Sequence, residues 1–166
     1  MTERQKYEVL KTIGDIEIRK YLPYVAADIL VPGEYEKAPN QGFRPLANYI
    51  FSNNISMTAP VIVQEGEKDS WQVSFVMPDG SKLEEMPYPS GEVKLRAENG
   101  EISAAIKFSG YTNKAKIEKY QKKLFDALNE LDIEIVGKVR IARFDPPWKP
   151  GFIRYNELIV PIKYQR

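Results

Sequence analysis

The chain of 166 residues contains no histidine and no cysteine. Histidine is the commonest metal ligand, a frequent general base and the usual axial ligand of haem iron. Its absence excludes Ser-His-Asp catalysis and histidine-ligated haem. The absence of cysteine excludes disulfides, thiolate metal sites and a cysteine nucleophile. Any catalysis would therefore use Glu, Asp, Tyr or Lys, and the sequence predicts neither a metal site nor a recognisable catalytic residue.

The sequence also lacks an excess of one charge, because 24 Lys and Arg face 23 Asp and Glu. No single-sign field draws such a protein to nucleic acid or to an anionic membrane. No apolar run approaches the ~18 residues of a transmembrane helix, and the opening MTERQKYEV is too polar for a secretory signal. We expect a cytoplasmic, monomeric protein with one domain over residues 1–166, without a nucleic-acid or membrane partner.

The first helix is predicted from an apolar spacing of i, i+3, i+4 and i+7, which places four side chains on one face: Phe43, Leu46, Ala47 and Ile50. Pro45 suits only the first turn of a helix, so we expect the helix to begin near Gly42 and residues 34–39 to form a loop. Ser52-Asn53-Asn54 would end it. Alternating apolar residues predict the surrounding strands, at 7–10, 16–19, 24–31, 57–64 and 71–77.

A second helix is predicted over residues 113–131, capped by Thr112 or Asn113. Its apolar stripe comprises Ile117, Tyr120, Leu124, Leu128 and Leu131, and its lysines form a solvated face. Asn99-Gly100 predicts a β-hairpin between strands at 93–97 and 102–108. The last strands are expected at 138–144 and 155–162.

The order strand, strand, helix, strand, strand occurs twice, at about 15–78 and 92–163. We therefore predict an α+β fold with pseudo-duplicated ββαββ halves. The halves would join into a distorted antiparallel β-barrel of about eight strands, flanked by two α-helices. The groove between a helix and the sheet is then the natural ligand site.

Several segments, in this order, resemble the SOUL/haem-binding protein family over about residues 7–162: YEVLKTIGDIEIRKY, GF-x-x-LANYI-FSNN-ISMTAPV, WQVSFVMP, AAIKFSGYTN and ARFDPPWKP-GFIRYNEL. MTAPV and FDPPWKP…RYNEL are the most specific. The resemblance implies the same distorted barrel. It also implies non-covalent binding of haem or another tetrapyrrole, without established enzymatic chemistry for most members.

In this family the tetrapyrrole is placed in an apolar groove beside the first helix. The corresponding ligand-binding positions implied by the resemblance are Phe43, Arg44, Leu46, Ala47, Ile50, Met57, Phe144, Trp148 and Lys149. Two departures from the family pattern are the missing histidine and Pro45 at the helix start. The expected partner is a planar hydrophobic small molecule such as haem or porphyrin. Iron would be ligated without histidine, by Met57, Met77, Met86 or Tyr49.

Two other functions remain open. The element order also resembles gyrase-inhibitor-like domains, which bind small molecules or hydrolyse reactive compounds. Glu157 with Tyr155 or Tyr111 would then be the catalytic pair. Strand parity places Glu157 away from the core, which favours an ion pair with Arg143 or Arg154 instead. The third possibility is a protein-interaction module that uses the loop at 78–91 and Trp148.

Overall fold

The computed structural model describes residues 2–146 and 149–165. The two α-helices are α1 (Ala38–Ser52) and α2 (Lys114–Glu130). The strands are β1 (Glu3–Arg4), β2 (Tyr7–Ile13), β3 (Ile16–Tyr21), β4 (Tyr24–Pro32), β5 (Thr58–Ala59), β6 (Val61–Glu65), β7 (Ser70–Val76), β8 (Lys94–Glu98), β9 (Glu101–Ser109), β10 (Glu134–Ile135), β11 (Arg140–Arg143) and β12 (Tyr155–Lys163). Short 3₁₀ turns occupy Tyr35–Lys37, Leu83–Glu85 and Gly151–Ile153.

Nine strands form one curled antiparallel sheet in the order β2-β3-β9-β12-β11-β6-β7-β4-β8. The short β10 pairs with the end of β12, and β1 pairs in parallel with β5. Within the described chain, β2 and β8 each pair on one side only, so the sheet is a half-barrel rather than a closed barrel. The predicted α+β fold with a distorted antiparallel barrel and two helices is confirmed.

Apart from β2, which has no counterpart in the second half, the strand order is symmetric. Exchange of the two halves leaves the order of the other eight strands unchanged. β3 of the first half pairs with β9 of the second, and β8 of the second half pairs with β4 of the first. The registers match as well. Arg19 lies opposite Ser103, which lies opposite Pro161. Arg96 lies opposite Ala26, which lies opposite Val76. A pseudo-twofold axis therefore passes between β6 and β11.

Both helices cover the same face of the sheet. α1 packs on β4 and β7, and α2 packs mainly on β9. Alternate residues of β4 show the period of two, because Val25 and Ala27 join the core under the helices while Ala26 and Asp28 face the other side. Gly42 permits close packing of α1, since a Cβ there would lie 2.6 Å from Cβ of Val73. The opposite face carries no helix in the described chain, and we call it the helix-free face.

The prediction for the start of α1 is wrong. The helix begins at Ala38, four residues before Gly42, and Pro39 occupies its first turn. Pro45 then lies inside the helix, where it supplies no N–H for an i→i−4 hydrogen bond. Burial of helix residues on both sides of Pro45, including Leu46, offsets the loss of this hydrogen bond. Residues 35–37, expected in a loop, form a 3₁₀ turn that leads into the helix.

The predicted Asn99-Gly100 hairpin is also wrong. The dipeptide does join β8 to β9, but these strands pair with β4 and β3 instead of with each other. Neither residue has the positive φ that a type I′ turn requires. Gly100 instead fits against the carbonyl of Tyr21, whose oxygen would lie 2.6 Å from an added Cβ. Long-range strand pairing therefore overrides the local turn signal.

The second helix agrees closely with its prediction. Asn113 is the N-cap, and its side-chain oxygen accepts a 2.9 Å hydrogen bond from the Lys116 backbone N–H. Leu124 and Leu128 are its buried residues, whereas Leu131 lies beyond its end and is exposed. The strand expected at 57–64 is two strands, β5 and β6, separated by a cis Ala59–Pro60 bond.

Candidate functional site

A groove with a volume of about 380 Å³ runs between the first turns of α1, strands β5 and β6, and the end of β11. Its lining residues are Thr2, Pro39, Asn40, Phe43, Arg44, Met57, Thr58, Ala59, Val61, Arg143, Phe144, Asp145 and Pro146. Its walls are mainly apolar. Its charged residues are Arg44 of α1 and, at the end of β11, Arg143 and Asp145. This combination fits a largely apolar ligand with an anionic end.

Four of the residues implied by the family resemblance line this groove together: Phe43, Arg44, Met57 and Phe144. The Phe43 ring packs edge-on against Phe75 of β7, with centroids 5.4 Å apart, which fixes one wall. Met57 is half-buried and supplies a flexible thioether to the wall formed by the residues before β5. The structure therefore brings the helix, the MTAPV segment and the end of β11 to one place.

Other implied residues do not line the groove. Leu46, Ala47 and Ile50 are buried in the core beneath α1 and position the helix. Lys149 lies beside the groove, where its Nζ donates a 3.0 Å hydrogen bond to Asp145. Trp148 lies outside the described residues.

Sequence reasoning missed Pro39, Asn40 and Arg143 as groove residues. The first two were hidden by the misplaced helix start. Arg143 was considered as an ion-pair partner of Glu157, although strand parity indicates that its side chain points to the helix side of the sheet. Ile141 and Arg143 are two residues apart on β11, so both point to the helix side of the sheet.

Arg143 is the least compensated charge of the groove. Its side chain is half-buried, and no carboxylate in residues 2–146 or 149–165 forms an ion pair with it. Burial lowers the pKa of Arg143 from its ordinary value, and Arg154 acts in the same direction while Tyr35 opposes it. An anionic group bound beside the guanidinium would accept a hydrogen bond from it and would offset the repulsion between Arg143 and Arg154.

Asp145 does not supply that acceptor. Its carboxylate accepts hydrogen bonds from the Tyr155 backbone N–H at 2.5 Å and from Lys149 at 3.0 Å. Burial by itself raises the pKa of Asp145, but these donors outweigh it and hold the pKa below its ordinary value. Arg44 is exposed on the facing bank of the groove. The groove therefore retains positive charge that its own acid does not neutralise.

The candidate catalytic residue Glu157 lies on the opposite, helix-free face and is only 2% exposed. Its partner is Arg19, whose two terminal nitrogens donate at 2.7 and 2.8 Å. The expectation of an ion pair with Arg143 or Arg154 is therefore wrong. Parity did place Glu157 away from the helices, but β3 brings Arg19 to the same face. Tyr155 donates to the same carboxylate at 2.5 Å.

Both oxygens of Glu157 are thus engaged, and the carboxylate has the environment of a structural ion pair. Tyr111, the other proposed catalytic partner, packs against Gly151 instead. In the part of the chain that the structure describes, no three acidic side chains converge to hold a metal ion. Nor does any described helix combine the length and hydrophobicity needed to cross a membrane.

A haem-type ligand fits the residues of the groove. The apolar walls match a macrocycle, the uncompensated Arg143 matches a propionate, and Met57 provides the sulfur donor that lines the space. The other suggested iron ligands are placed elsewhere. Met77 is buried in the core, and Met86 packs against that core from the loop. The Tyr49 hydroxyl donates to the Pro87 carbonyl at 2.7 Å.

The fold recurs in solved structures of low sequence identity. The C-terminal domain of EcmrR matches with a TM-score of 0.71 and 9% identity, covering 96% of this chain and 99% of that one. EcmrR in its complex with DNA also matches, with a TM-score of 0.71 and 9% identity. The match covers 90% of the present chain but only 57% of that EcmrR chain. An uncharacterized conserved protein from Listeria innocua matches with a TM-score of 0.68 and 11% identity, covering 90% of this chain and 92% of that one. A hydrolase from the same organism matches with a TM-score of 0.63 and 12% identity, covering 93% and 94%.

These identities establish a shared fold and nothing about activity. A comparison with curated proteins found no significant match. The family comparison is more specific, because the SOUL heme-binding protein family matches residues 2–161, a range that includes the segments that line the groove. The chain therefore belongs to the SOUL heme-binding protein family.

Proposed function

We propose that this protein binds haem or a related porphyrin non-covalently in the groove beside α1, with a carboxylate of the ligand on Arg143. The observation that carries the proposal is a half-buried guanidinium at the end of an apolar groove, for which the described residues provide no acidic partner. Family membership supports a tetrapyrrole as the ligand. Phe43, Met57 and Phe144 would contact its apolar surface.

Two contributions set the affinity. Burial of the apolar face of a macrocycle against the groove supports binding in the micromolar range, on the order of −8 kcal/mol. A charge-assisted hydrogen bond from Arg143 is the second contribution and adds roughly 1.5–3 kcal/mol. Arg44 is exposed and contributes less, because water screens its charge. If the bound porphyrin carried iron, it would supply redox and ligand-binding chemistry, and Met57 would be the sulfur donor that the groove lining offers.

We propose binding without catalysis, because the groove residues that the structure describes are mainly apolar and the acid among them, Asp145, is held by hydrogen bonds from Lys149 and the Tyr155 backbone. The hydrolase among the structural neighbours shares only the fold with this chain. The balanced charge provides no field of one sign that would draw the protein to nucleic acid or to an anionic membrane, and our proposal places it in the cytoplasm as a monomer. The loop at 78–91, which could serve a protein partner, lies outside the groove lining.

Absorbance titration with protoporphyrin IX and with its dimethyl ester tests the proposal. We expect saturable one-to-one binding of the free acid at micromolar concentration. Arg143→Gln should weaken binding of the free acid by about tenfold and leave binding of the ester nearly unchanged. Met57→Asp should weaken both, because it places a charge in the apolar wall.

Lys122→Gln, on the exposed side of α2, is the control variant. Absence of saturable binding by either porphyrin would overturn the groove assignment. Equal effects of Arg143→Gln on the acid and on the ester would overturn the role of Arg143 while leaving the groove itself supported.

A further inference from the structure

The helix-free face of the sheet contains a second cavity, with a volume of about 390 Å³, on the side of the sheet away from the porphyrin groove. Most of its lining side chains are polar, in contrast with the groove. The residues that matter for its chemistry are Gln64, Gln72, Ser74, Arg96, Glu101 and Arg140. We call this space the polar cleft.

Both halves of the chain line the polar cleft, and the pseudo-twofold axis relates its Arg96 end to a filled region around Arg19. Arg96 and Arg19 are equivalent, because they lie opposite the equivalent residues Ala26 and Ser103. Each arginine forms a buried or partly buried ion pair on the helix-free face. Arg19 binds Glu157, and Arg96 binds Asp28 at 2.7 and 3.2 Å.

The two halves differ in what covers the arginine. On one side β2 lies next to β3 in the sheet and places the Tyr7 ring over Arg19. The guanidinium carbon is 4.1 Å from the ring centroid. On the other side β8 is the edge strand, and no described strand lies beyond it. The ring of Tyr24 lies farther from Arg96, with its centroid 5.9 Å from the guanidinium carbon, and does not cover it as closely as Tyr7 covers Arg19. As a result the Arg19 side chain is 0% exposed, whereas the Arg96 side chain is 31% exposed.

The residues beneath the arginines differ in the same sense. By register, Gln72 takes the place of Glu157, and Gln64 takes the place of Ala142. Neutral amides thus replace an acid and a methyl group on the open side. They offer both donors and acceptors to a hydroxyl group. The hydroxyl of Ser74 donates to Asp28 at 2.6 Å and accepts a hydrogen bond from Nε2 of Gln72 at 3.5 Å, which leaves the Gln72 carbonyl oxygen as an acceptor for a ligand.

We propose that the polar cleft binds a small hydroxylated aromatic molecule of the phenol class, whose ring stacks on Arg96 as Tyr7 stacks on Arg19. Guanidinium groups stack favourably on aromatic faces. Charge argues against an anionic ligand, because Arg96 is already paired with Asp28 and Glu98, and Arg140 with Glu101 at 2.5 Å. The side chain of Tyr7, which covers Arg19 in the other half, has the chemical structure that we propose for the ligand.

Titration with p-cresol, the side-chain analogue of tyrosine, tests the proposal, and 4-methylcyclohexanol is the non-aromatic control of similar size and polarity. ¹H–¹⁵N NMR spectra resolve the side-chain amides of Gln64 and Gln72. We expect saturable shifts of these amides with p-cresol, at a dissociation constant on the order of 1 mM for so small a ligand. 4-Methylcyclohexanol should bind at least tenfold more weakly.

Arg96→Lys keeps the charge beside Asp28 but removes the planar stacking surface, so it should weaken p-cresol binding at least fivefold. Lys122→Gln should leave the p-cresol titration unchanged. If p-cresol causes no saturable shift, if both probes bind equally, or if Arg96→Lys has no effect, the proposal is wrong.

Tyr7→Ala provides an independent arm, because it should open the equivalent space over Arg19. We expect this variant to bind two molecules of p-cresol where the unmodified protein binds one, and to gain more thermal stability from it. A stoichiometry of one would contradict the analogy between Tyr7 and the ligand. If the variant fails to fold, the amide shifts and Arg96→Lys still decide the question. Porphyrin titration of the same samples reports the groove separately, so either site can fail without the other.

Discussion

Arg19 and Glu157 form a bidentate ion pair on the helix-free face, with N–O distances of 2.7 and 2.8 Å and almost no exposure of either side chain. Burial by itself lowers the pKa of Arg19, but hydrogen bonds to Glu157 and Tyr21 outweigh it and raise the pKa. The pair joins β3 to β12 across the intervening β9, so it connects strands from the two halves of the chain.

Removal of one charge from this pair should destabilise the protein strongly. Glu157→Gln leaves a buried guanidinium with fewer charged acceptors, and we expect a loss of roughly 3 kcal/mol in the free energy of unfolding. Glu17 limits the loss, because it also accepts hydrogen bonds from Arg19 at 2.6 and 3.0 Å. Urea denaturation monitored by circular dichroism measures the change.

Asp126→Asn is the control, because it removes an exposed ion pair with Lys122 and should leave the free energy of unfolding unchanged within error. Equal effects of the two substitutions would show that the buried pair contributes nothing special to stability.

Stability should decrease at high pH because of Tyr21. Desolvation raises the pKa of this buried phenol from 10.0 to about 12, although Arg19 and Arg140 act in the opposite direction. The folded state therefore holds the proton more tightly than the unfolded state. The corresponding stability is fully present below pH 10 and is lost as the pH rises through 12. For two pKa units the loss is roughly 3 kcal/mol.

Urea denaturation at a series of pH values between 8 and 12 measures this effect. Tyr21→Phe should make the dependence shallower, whereas Tyr88→Phe, at a side chain that is 99% exposed, should not change it. Parallel curves for the unmodified protein and Tyr21→Phe would show that another group is responsible.

Gly42→Ala should destabilise the contact between α1 and β7. The added Cβ would lie 2.6 Å from both Cβ and Cγ2 of Val73, which forces the helix away from the sheet. We expect a net loss of roughly 1–2 kcal/mol in the free energy of unfolding, since overpacking exceeds the ~1 kcal/mol gain in helix propensity.

The exposed neighbour Gln41 provides the matched substitution, and Gln41→Ala should have little effect. Val73→Ala removes the Cγ2 contact but keeps the Cβ contact, so it should cost less in the Gly42→Ala background than in the unmodified protein. A stabilising effect of Gly42→Ala alone would mean that the helix and sheet adjust without strain.

Much of the fold could be predicted from the sequence because its signals were periodic. Ile117, Leu124 and Leu128 share one face of α2, and the alternation around Val73 and Phe75 marks a strand with one buried face. The doubled order of elements predicted the doubled architecture. Family motifs then indicated the location of the groove, where Phe43 and Met57 meet.

Local signals failed where distant strands decide the structure. Asn99-Gly100 favours a hairpin, yet β8 gains more by completing the sheet at β4. Glu157 was expected to face away from the core and to pair with Arg143 or Arg154, because period-two alternation shows the face of a residue but not that β3 brings Arg19 to the same face. The burial of Arg143 depends on how β11 meets α1, which no local pattern records.

The exchange of β3 and β8 between the halves has a consequence for the independence of those halves. Residues 15–78 alone would keep β4, β6 and β7 paired, but β3 would lose its neighbour β9 and β4 would lose its neighbour β8. Unpaired edges of this kind favour association with another chain. Two copies of such a fragment would contain every pairing needed to rebuild an eight-stranded sheet, since β3 of one copy could take the place of β8 in the other. The covalent chain thus has the connectivity of a symmetric dimer whose two subunits have been fused.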